Sequence, residues 1–191
     1  AAAHRLSSAT FTAMLVTASG MEGLLILDPH DFKESRGLFF ESYTRKRLEQ
    51  HGSPYAFIQD NQSHSSHGII RGLHFQKAPY EQAKLVRVIA GAVFDVAVDL
   101  RPSSPTYGLW FGTELTSENF LQLMIPGGFA HGFSVLSEHA IVQYKCDQYY
   151  HPESESGIRF DDPDLGIDWR IQANKIQVSE KDSVLPYLKQ L

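Results

Sequence analysis

Residues 84–100 read Lys-Leu-Val-Arg-Val-Ile-Ala-Gly-Ala-Val-Phe-Asp-Val-Ala-Val-Asp-Leu. Two runs rich in β-branched residues, 84–90 and 93–100, flank Gly91-Ala92. Valine and isoleucine at this density favour strands, because a branched Cβ suits a pleated, half-buried surface better than a helix. In the second run Phe94, Val96, Val98 and Leu100 share one face, while Asp95, Ala97 and Asp99 share the other. Two such runs around a Gly-Ala break predict a hairpin.

The same reading extends outward. Short strand-like segments fall at 24–27, 37–43, 57–63, 69–75 and 122–125. Residues 139–150 alternate, with Ala140, Val142, Tyr144, Cys146, Gln148 and Tyr150 pointing one way. Helical signals are few: Thr44 predicts the cap of a short helix ending at Gly52, and Ser179 that of another running to the C-terminus. No strand-helix-strand rhythm occurs, which argues against a doubly wound parallel sheet. The pattern is that of one all-β domain: a sandwich, a jelly roll or a small barrel, which periodicity alone does not separate.

Bulk properties narrow the function classes. A chain of 191 residues suffices for one core, and 42% apolar with 20% charged residues marks a globular domain. A net charge of −5 argues against a nucleic-acid partner, though not against a local basic pocket for one phosphate group. Cys146, the single cysteine, excludes an internal disulfide framework and fits a reducing, cytoplasmic compartment. No apolar run approaches the roughly 18 residues of a membrane span. Residues 1–20 contain no acidic residue and are weakly patterned, and Met21 follows them. They are expected to be an arm outside a single domain at 21–191.

Two histidines stand in unusual settings. His74 lies in Arg71-Gly72-Leu73-His74-Phe75-Gln76, and His131 in Pro126-Gly127-Gly128-Phe129-Ala130-His131-Gly132-Phe133. The second stretch resembles the Pro-x-Gly-x-x-His motif of cupins. In metal-binding cupins a His-x-His pair supplies further ligands, and here Gln76 stands where the second histidine would be. Losing that pair leaves too few convergent ligands, so no metal is expected. No Gly-x-Gly-x-x-Gly fingerprint occurs either, and no organic cofactor is expected.

The neighbouring motifs run in order: 59–63 (Gln-Asp-Asn-Gln-Ser), 72–76, Lys84-Leu85-Val86, 95–101, Ser104-Pro105-Thr106-Tyr107-Gly108, 126–133 and Tyr144-Lys145. Asp162-Pro163, Trp169 and Ser179-Glu180-Lys181-Asp182 close the series. From about residue 23 to 188 the chain resembles the dTDP-4-dehydrorhamnose 3,5-epimerase family. It departs at Phe160, where the family usually has Trp, and at His151, where small polar residues are common. The resemblance implies a cupin-type jelly roll with a few short peripheral helices, and a homodimer. It also implies epimerisation of dTDP-4-dehydro-6-deoxy-D-glucose at C3 and C5, giving dTDP-4-dehydro-L-rhamnose.

Carried over residue by residue, the resemblance makes His74 the base that takes the proton beside the sugar ketone. Asp182 orients it, Tyr144 returns a proton from the opposite face, and Lys84 faces the ketone oxygen. Arg36, Glu41, Gln59, Asp60, Asn61, Arg71, His131, Glu155 and Lys181 correspond to binding positions, and Tyr150 to the pocket lining. On spacing alone Ser179-x-x-Asp182 reads first as a helix cap. Lys84 by itself reads as a solvated strand end, and Tyr144 as a core residue.

The chemistry suits these residue types. Removing a proton beside a ketone puts charge on oxygen, and a fixed cation there is typically worth about 10²–10³ in turnover. An imidazole is a suitable base at neutral pH, a phenol is protonated and ready to donate, and guanidinium forks match phosphate oxygens. A strict period of two puts Arg71 and His74 on opposite faces; either Gly72 carries a bulge or one side chain serves a neighbouring subunit. Other readings are a relative that inverts only C3 or only C5, a metal-dependent cupin, and a sugar-nucleotide binding module without catalysis.

Overall fold

The structure is a computed structural model and describes residues 14–29 and 32–191. One antiparallel sheet runs, edge to edge, β1 (Leu15–Ala18), β2 (Leu25–Asp28), β10 (Gln122–Ile125), β7 (Lys84–Ala90), β12 (His139–Cys146) and β5 (Gln59–Ser66). The other runs β13 (Glu155–Gly157), β6 (Ile70–Gln76), β11 (Phe129–Val135), β8 (Ala92–Asp99) and β9 (Trp110–Thr116). A small separate hairpin joins β3 (Phe32–Glu34) to β4 (Gly37–Phe39). The two large sheets pack face to face as a jelly-roll sandwich, in agreement with the expected fold class.

Alternation builds the core. Val86, Val88, Leu123, Ile125, Ala140 and Val142 point inward from the first sheet and meet Val93, Ala97, Leu115, Phe129, Phe133 and Val135 from the second. Full burial of each larger side chain is worth roughly 1.5–3 kcal/mol. Both outer faces are covered as well. Phe94, Val96 and Val98 lie beneath Ile158, Leu165 and Trp169 of the C-terminal segment. Leu27, Leu85 and Met124 lie beneath Leu48 of helix α1 (Arg45–Gln50), with Tyr43, Tyr55 and Phe57 beside them. β8 is therefore buried on both faces, and its sequence is nearly continuously apolar.

The structure departs from the sequence expectations at five places. β7 and β8 do not pair: β7 lies between β10 and β12, and β8 between β11 and β9. Both strands carry inward-facing apolar residues, and placing them in opposite sheets lets Val86 and Val88 share a core with Val93 and Ala97. Gly91, at φ +79, turns this corner, and a Cβ there would collide with the His139 carbonyl and the Ser137 hydroxyl.

The C-terminal helix α2 (Glu180–Ser183) has four residues and does not run to the end. Val184 leaves the helical conformation, and Pro186 has no N–H with which to continue it. The strand expected at 37–43 stops at Phe39, and β12 stops at Cys146 rather than at 150. Finally, Leu15–Ala18, within the segment expected to be an arm, pairs with β2, while residues 1–13 lie outside the described residues. No helix among the described residues is long and apolar enough to cross a membrane.

Candidate active site

A cavity of about 810 Å³ is lined by strands of both sheets and by residues 177–179, 181 and 182. That size suits a ligand of tens of atoms. His74 enters it from β6. Its Nε2 lies 2.7 Å from Asp182 Oδ1, and the Gly72 N–H donates to Asp182 Oδ2 at 3.2 Å. A carboxylate only accepts, so Nε2 carries the proton and Nδ1 is the basic nitrogen. Burial alone would raise the Asp182 carboxyl; the hydrogen bond and charge of His74, with the Gly72 N–H and Ser179, hold it below the usual range.

A bulge brings His74 and Arg71 together. Against β11, His74 stands opposite His131 and Arg71 opposite Phe133, three residues spanning two. Gly72, at φ +118, permits this; a Cβ there would sit 2.6 Å from Gly132 Cα. The extra residue turns Arg71 back to the face of His74, and both line the same cavity in one chain.

The opposite wall comes from the other sheet. Tyr144 on β12 and Lys84 on β7 lie on paired strands, with Lys84 opposite Cys146 and Tyr144 opposite Val86. The Lys84 ammonium is 5.8 Å from the centre of the Tyr144 ring and has no carboxylate partner among the described residues. Burial pushes its pKa down, opposed by the fields of Cys146, Asp95 and Glu155. Burial pushes the Tyr144 phenol up, with Arg71 pulling the other way, so it is protonated at neutral pH. Between the walls His131 is buried, its Nε2 3.0 and 3.1 Å from the two oxygens of Asp95, its ring 6.3 Å from that of Tyr144.

Polar residues continue along the cavity. Glu155 Oε2 accepts from Tyr150 Oη at 2.7 Å and from Lys181 Nζ at 2.6 Å. Burial raises this carboxyl, but those two partners outweigh it and hold the group low. Gln59 accepts from the Tyr150 N–H and donates to Asn61 Oδ1 at 3.1 Å. Gln76 donates to the carbonyls of Tyr80 and Tyr149 and accepts from the His151 N–H, so its amide is spent on tying loops. Among the described residues no group of three or more His, Cys, Asp or Glu side chains is placed to hold a metal ion.

Eleven of the fourteen residues named from sequence line this cavity: His74, Tyr144, Asp182, Lys84, Gln59, Asn61, Arg71, His131, Tyr150, Glu155 and Lys181. Three do not. Asp60 alternates to the other side of β5, where Lys145 Nζ binds both its oxygens at 2.9 Å. Glu41 pairs with Arg47 at 3.0 Å. Arg36 is exposed in the turn between β3 and β4. Gln62, Ser63, Phe75, Gln82, Phe133 and Gln177 also line the cavity and were not singled out. For Ser63 a signal existed, since it continues the period of two from Gln59 and Asn61. Asp95 was legible too, as a carboxylate sharing a face with Ala97.

A base on one wall, a protonated phenol on the other and a buried cation beside it suit inversion next to a carbonyl; the class is that of jelly-roll sugar epimerases. The family model described as dTDP-4-dehydrorhamnose 3,5-epimerase matches residues 18–190. The enzyme of that name from Escherichia coli (strain K12) is 49% identical over 179 residues, covering 93% of this chain and 96% of its own. Among solved structures, dTDP-4-dehydrorhamnose 3,5-epimerase from Elizabethkingia anophelis NUHP1 has a TM-score of 0.90 at 47% identity, covering 93% of this chain and 97% of its own. The dTDP-6-deoxy-D-glucose-3,5-epimerase of Legionella pneumophila Philadelphia 1, solved with dTDP-4-keto-L-rhamnose, has a TM-score of 0.89 at 47% identity, covering 93% and 94%. This chain belongs to the dTDP-4-dehydrorhamnose 3,5-epimerase family, and it is an isomerase.

Proposed function

We propose that the chain inverts C3 and C5 of dTDP-4-dehydro-6-deoxy-D-glucose, giving dTDP-4-dehydro-L-rhamnose, with His74 as base and Tyr144 as acid. The observation that carries this reading is that the two groups come from opposing sheets, so a sugar ring between them meets a base on one face and an acid on the other. His74 Nδ1 takes the C–H proton beside the ketone, and the bonding pair moves to the ketone oxygen. Lys84 stabilises that enolate oxygen, and Tyr144 delivers its phenolic proton to the opposite face of the carbon. Arg71 and Lys181 supply positive charge for the pyrophosphate, and Gln59, Asn61, His131, Tyr150 and Glu155 shape the rest of the site.

The test is incubation with the substrate in D₂O, followed by NMR of the sugar. Wild type should exchange and invert both carbons. His74→Ala should lose exchange and inversion together, since a general base is worth about 10²–10⁴-fold. Tyr144→Phe should still take up deuterium at C5 while inverting it poorly. Inversion of C5 by Tyr144→Phe at the wild-type rate would remove the phenol from the mechanism and make Tyr150 the next residue to test.

Arg36, Glu41 and the exposed Leu38 and Phe39 belong to the β3–β4 hairpin and the residues just after it, outside their own chain's cavity. A cytoplasmic homodimer in which these residues reach the partner's cavity accounts for their matching nucleotide-binding positions.

A further inference from the structure

Resting on that reading, we infer that Ser65 is a positioning residue: it fixes the guanidinium of Arg71 so that its outer edge receives the pyrophosphate. Ser65 lies on β5, on the face of Gln59, Asn61 and Ser63, and is 6% exposed. Arg71 belongs to the other sheet and lies six residues away across the tight turn at Gly68. Its Nε–H donates to Ser65 Oγ at 2.9 Å.

A guanidinium has two edges that can grip a phosphate in fork fashion: Nε with one terminal nitrogen, or the two terminal nitrogens together. Ser65 occupies Nε, which commits the edge formed by the terminal nitrogens to the ligand. Neither terminal nitrogen makes a hydrogen bond or ion pair among the described residues. Arg71 is itself exposed, and the bond to Ser65 is the one hydrogen bond its side chain makes among the described residues. A long side chain held in place before binding loses less freedom when the ligand arrives. The alternation of β5 puts position 65 on the buried face of the strand, where the serine hydroxyl accepts from the Arg71 Nε–H.

The test is calorimetric titration of dTDP into wild type, Ser65→Ala, Ser65→Thr, Arg71→Met and the Ser65→Ala/Arg71→Met double variant, with steady-state kinetics of each. Ser65→Ala should weaken dTDP and raise KM by about ten-fold, as losing a hydrogen bond to a charged group does, with kcat within about two-fold. Ser65→Thr keeps the acceptor and should bind like wild type. On the Arg71→Met background Ser65→Ala should change nothing further. If Ser65→Ala does not fold, Ser65→Cys is a near-isostere with a weak acceptor and serves in its place. An equal loss on both backgrounds, or lowered kcat with dTDP affinity intact, overturns the inference alone. Wild-type protein that fails to bind dTDP overturns the proposed function, and the inference with it.

Discussion

A lysine that is 8% exposed and has no carboxylate partner among the described residues costs folding free energy, because burial disfavours its charged form. In the proposed mechanism this lysine faces the enolate oxygen, and no carboxylate among the described residues pairs with it. Lys84→Met keeps the length of the side chain and removes the charge. Turnover should fall by about two orders of magnitude or more with dTDP affinity largely retained. The melting temperature should rise by about 2–4 °C, the shift that about 1 kcal/mol produces in a chain of this size. The pH dependence gives an independent check. The unfolded chain holds the Lys84 proton more tightly than the folded one, so wild-type stability gains from this group as pH rises toward the ordinary lysine value. Lys84→Met should lack that gain in urea unfolding, and a melting temperature that falls instead would show that the ammonium has stabilising partners.

Helix α2 places its acid with very little structure. A helix of four residues is marginal by itself, and the Asp182 N–H donating to Ser179 Oγ at 3.0 Å is its cap. Spacing offered cap and catalytic orienter as alternatives for Asp182. One residue meets both geometries: the backbone N–H of Asp182 engages the cap while its carboxylate binds His74 and the Gly72 N–H. Ser179→Ala should therefore cost about 1 kcal/mol in thermal melting. It should also lower kcat several-fold more than it raises KM, because the displaced carboxylate no longer fixes the imidazole. A loss of stability with kcat unchanged would separate the cap from the His74–Asp182 pair.

Acid stability is a property of the whole sandwich, and Asp99 is a main contributor. Burial would raise this carboxyl, but bonds from the Arg101 side chain, Ser104, Thr106 and the Arg101 N–H hold it well below the usual range. Asp182 is held low in the same sense. Groups depressed in the folded state stabilise it above the unfolded carboxylate pKa near 4, and that stability drains away as pH falls toward the folded values. Urea unfolding should show a steep loss below about pH 4 in wild type, and a shallower one in Asp99→Asn. The variant should already be weaker at pH 7 by about 1–3 kcal/mol, since an amide oxygen replaces the carboxylate that accepts from Arg101, Ser104 and Thr106. Assembly is tested at the same scale. Light scattering should give twice the 21.5 kDa chain mass. Mixing inactive Arg36→Ala and His74→Ala subunits should restore about a quarter of wild-type activity, because half the dimers are mixed and each holds one intact site. A monomer, or no recovery on mixing, would place Arg36 outside the site.

Chemical identity and local alternation were legible in the chain itself. Period two grouped Phe94, Val96 and Val98 on one face of their strand and Ala140, Val142 and Tyr144 on one face of theirs, without fixing which face turns toward the other sheet; the missing second histidine at Gln76 spoke against a metal cupin, and the ordered motifs carried His74, Tyr144, Lys84 and Asp182. What alternation cannot encode is which strands become neighbours. The runs on either side of Gly91 look like a hairpin locally, yet burying both inner faces at once requires them to lie in opposite sheets. A strict period likewise separates Arg71 from His74; the bulge that reunites them exists because Gly72 and Gly132 let two backbones approach more closely than any Cβ allows. Residue types and faces follow from short-range sterics and so are written in the sequence. The meeting of His74 and Tyr144 across one cavity depends on long-range packing, and only the tertiary structure decides it.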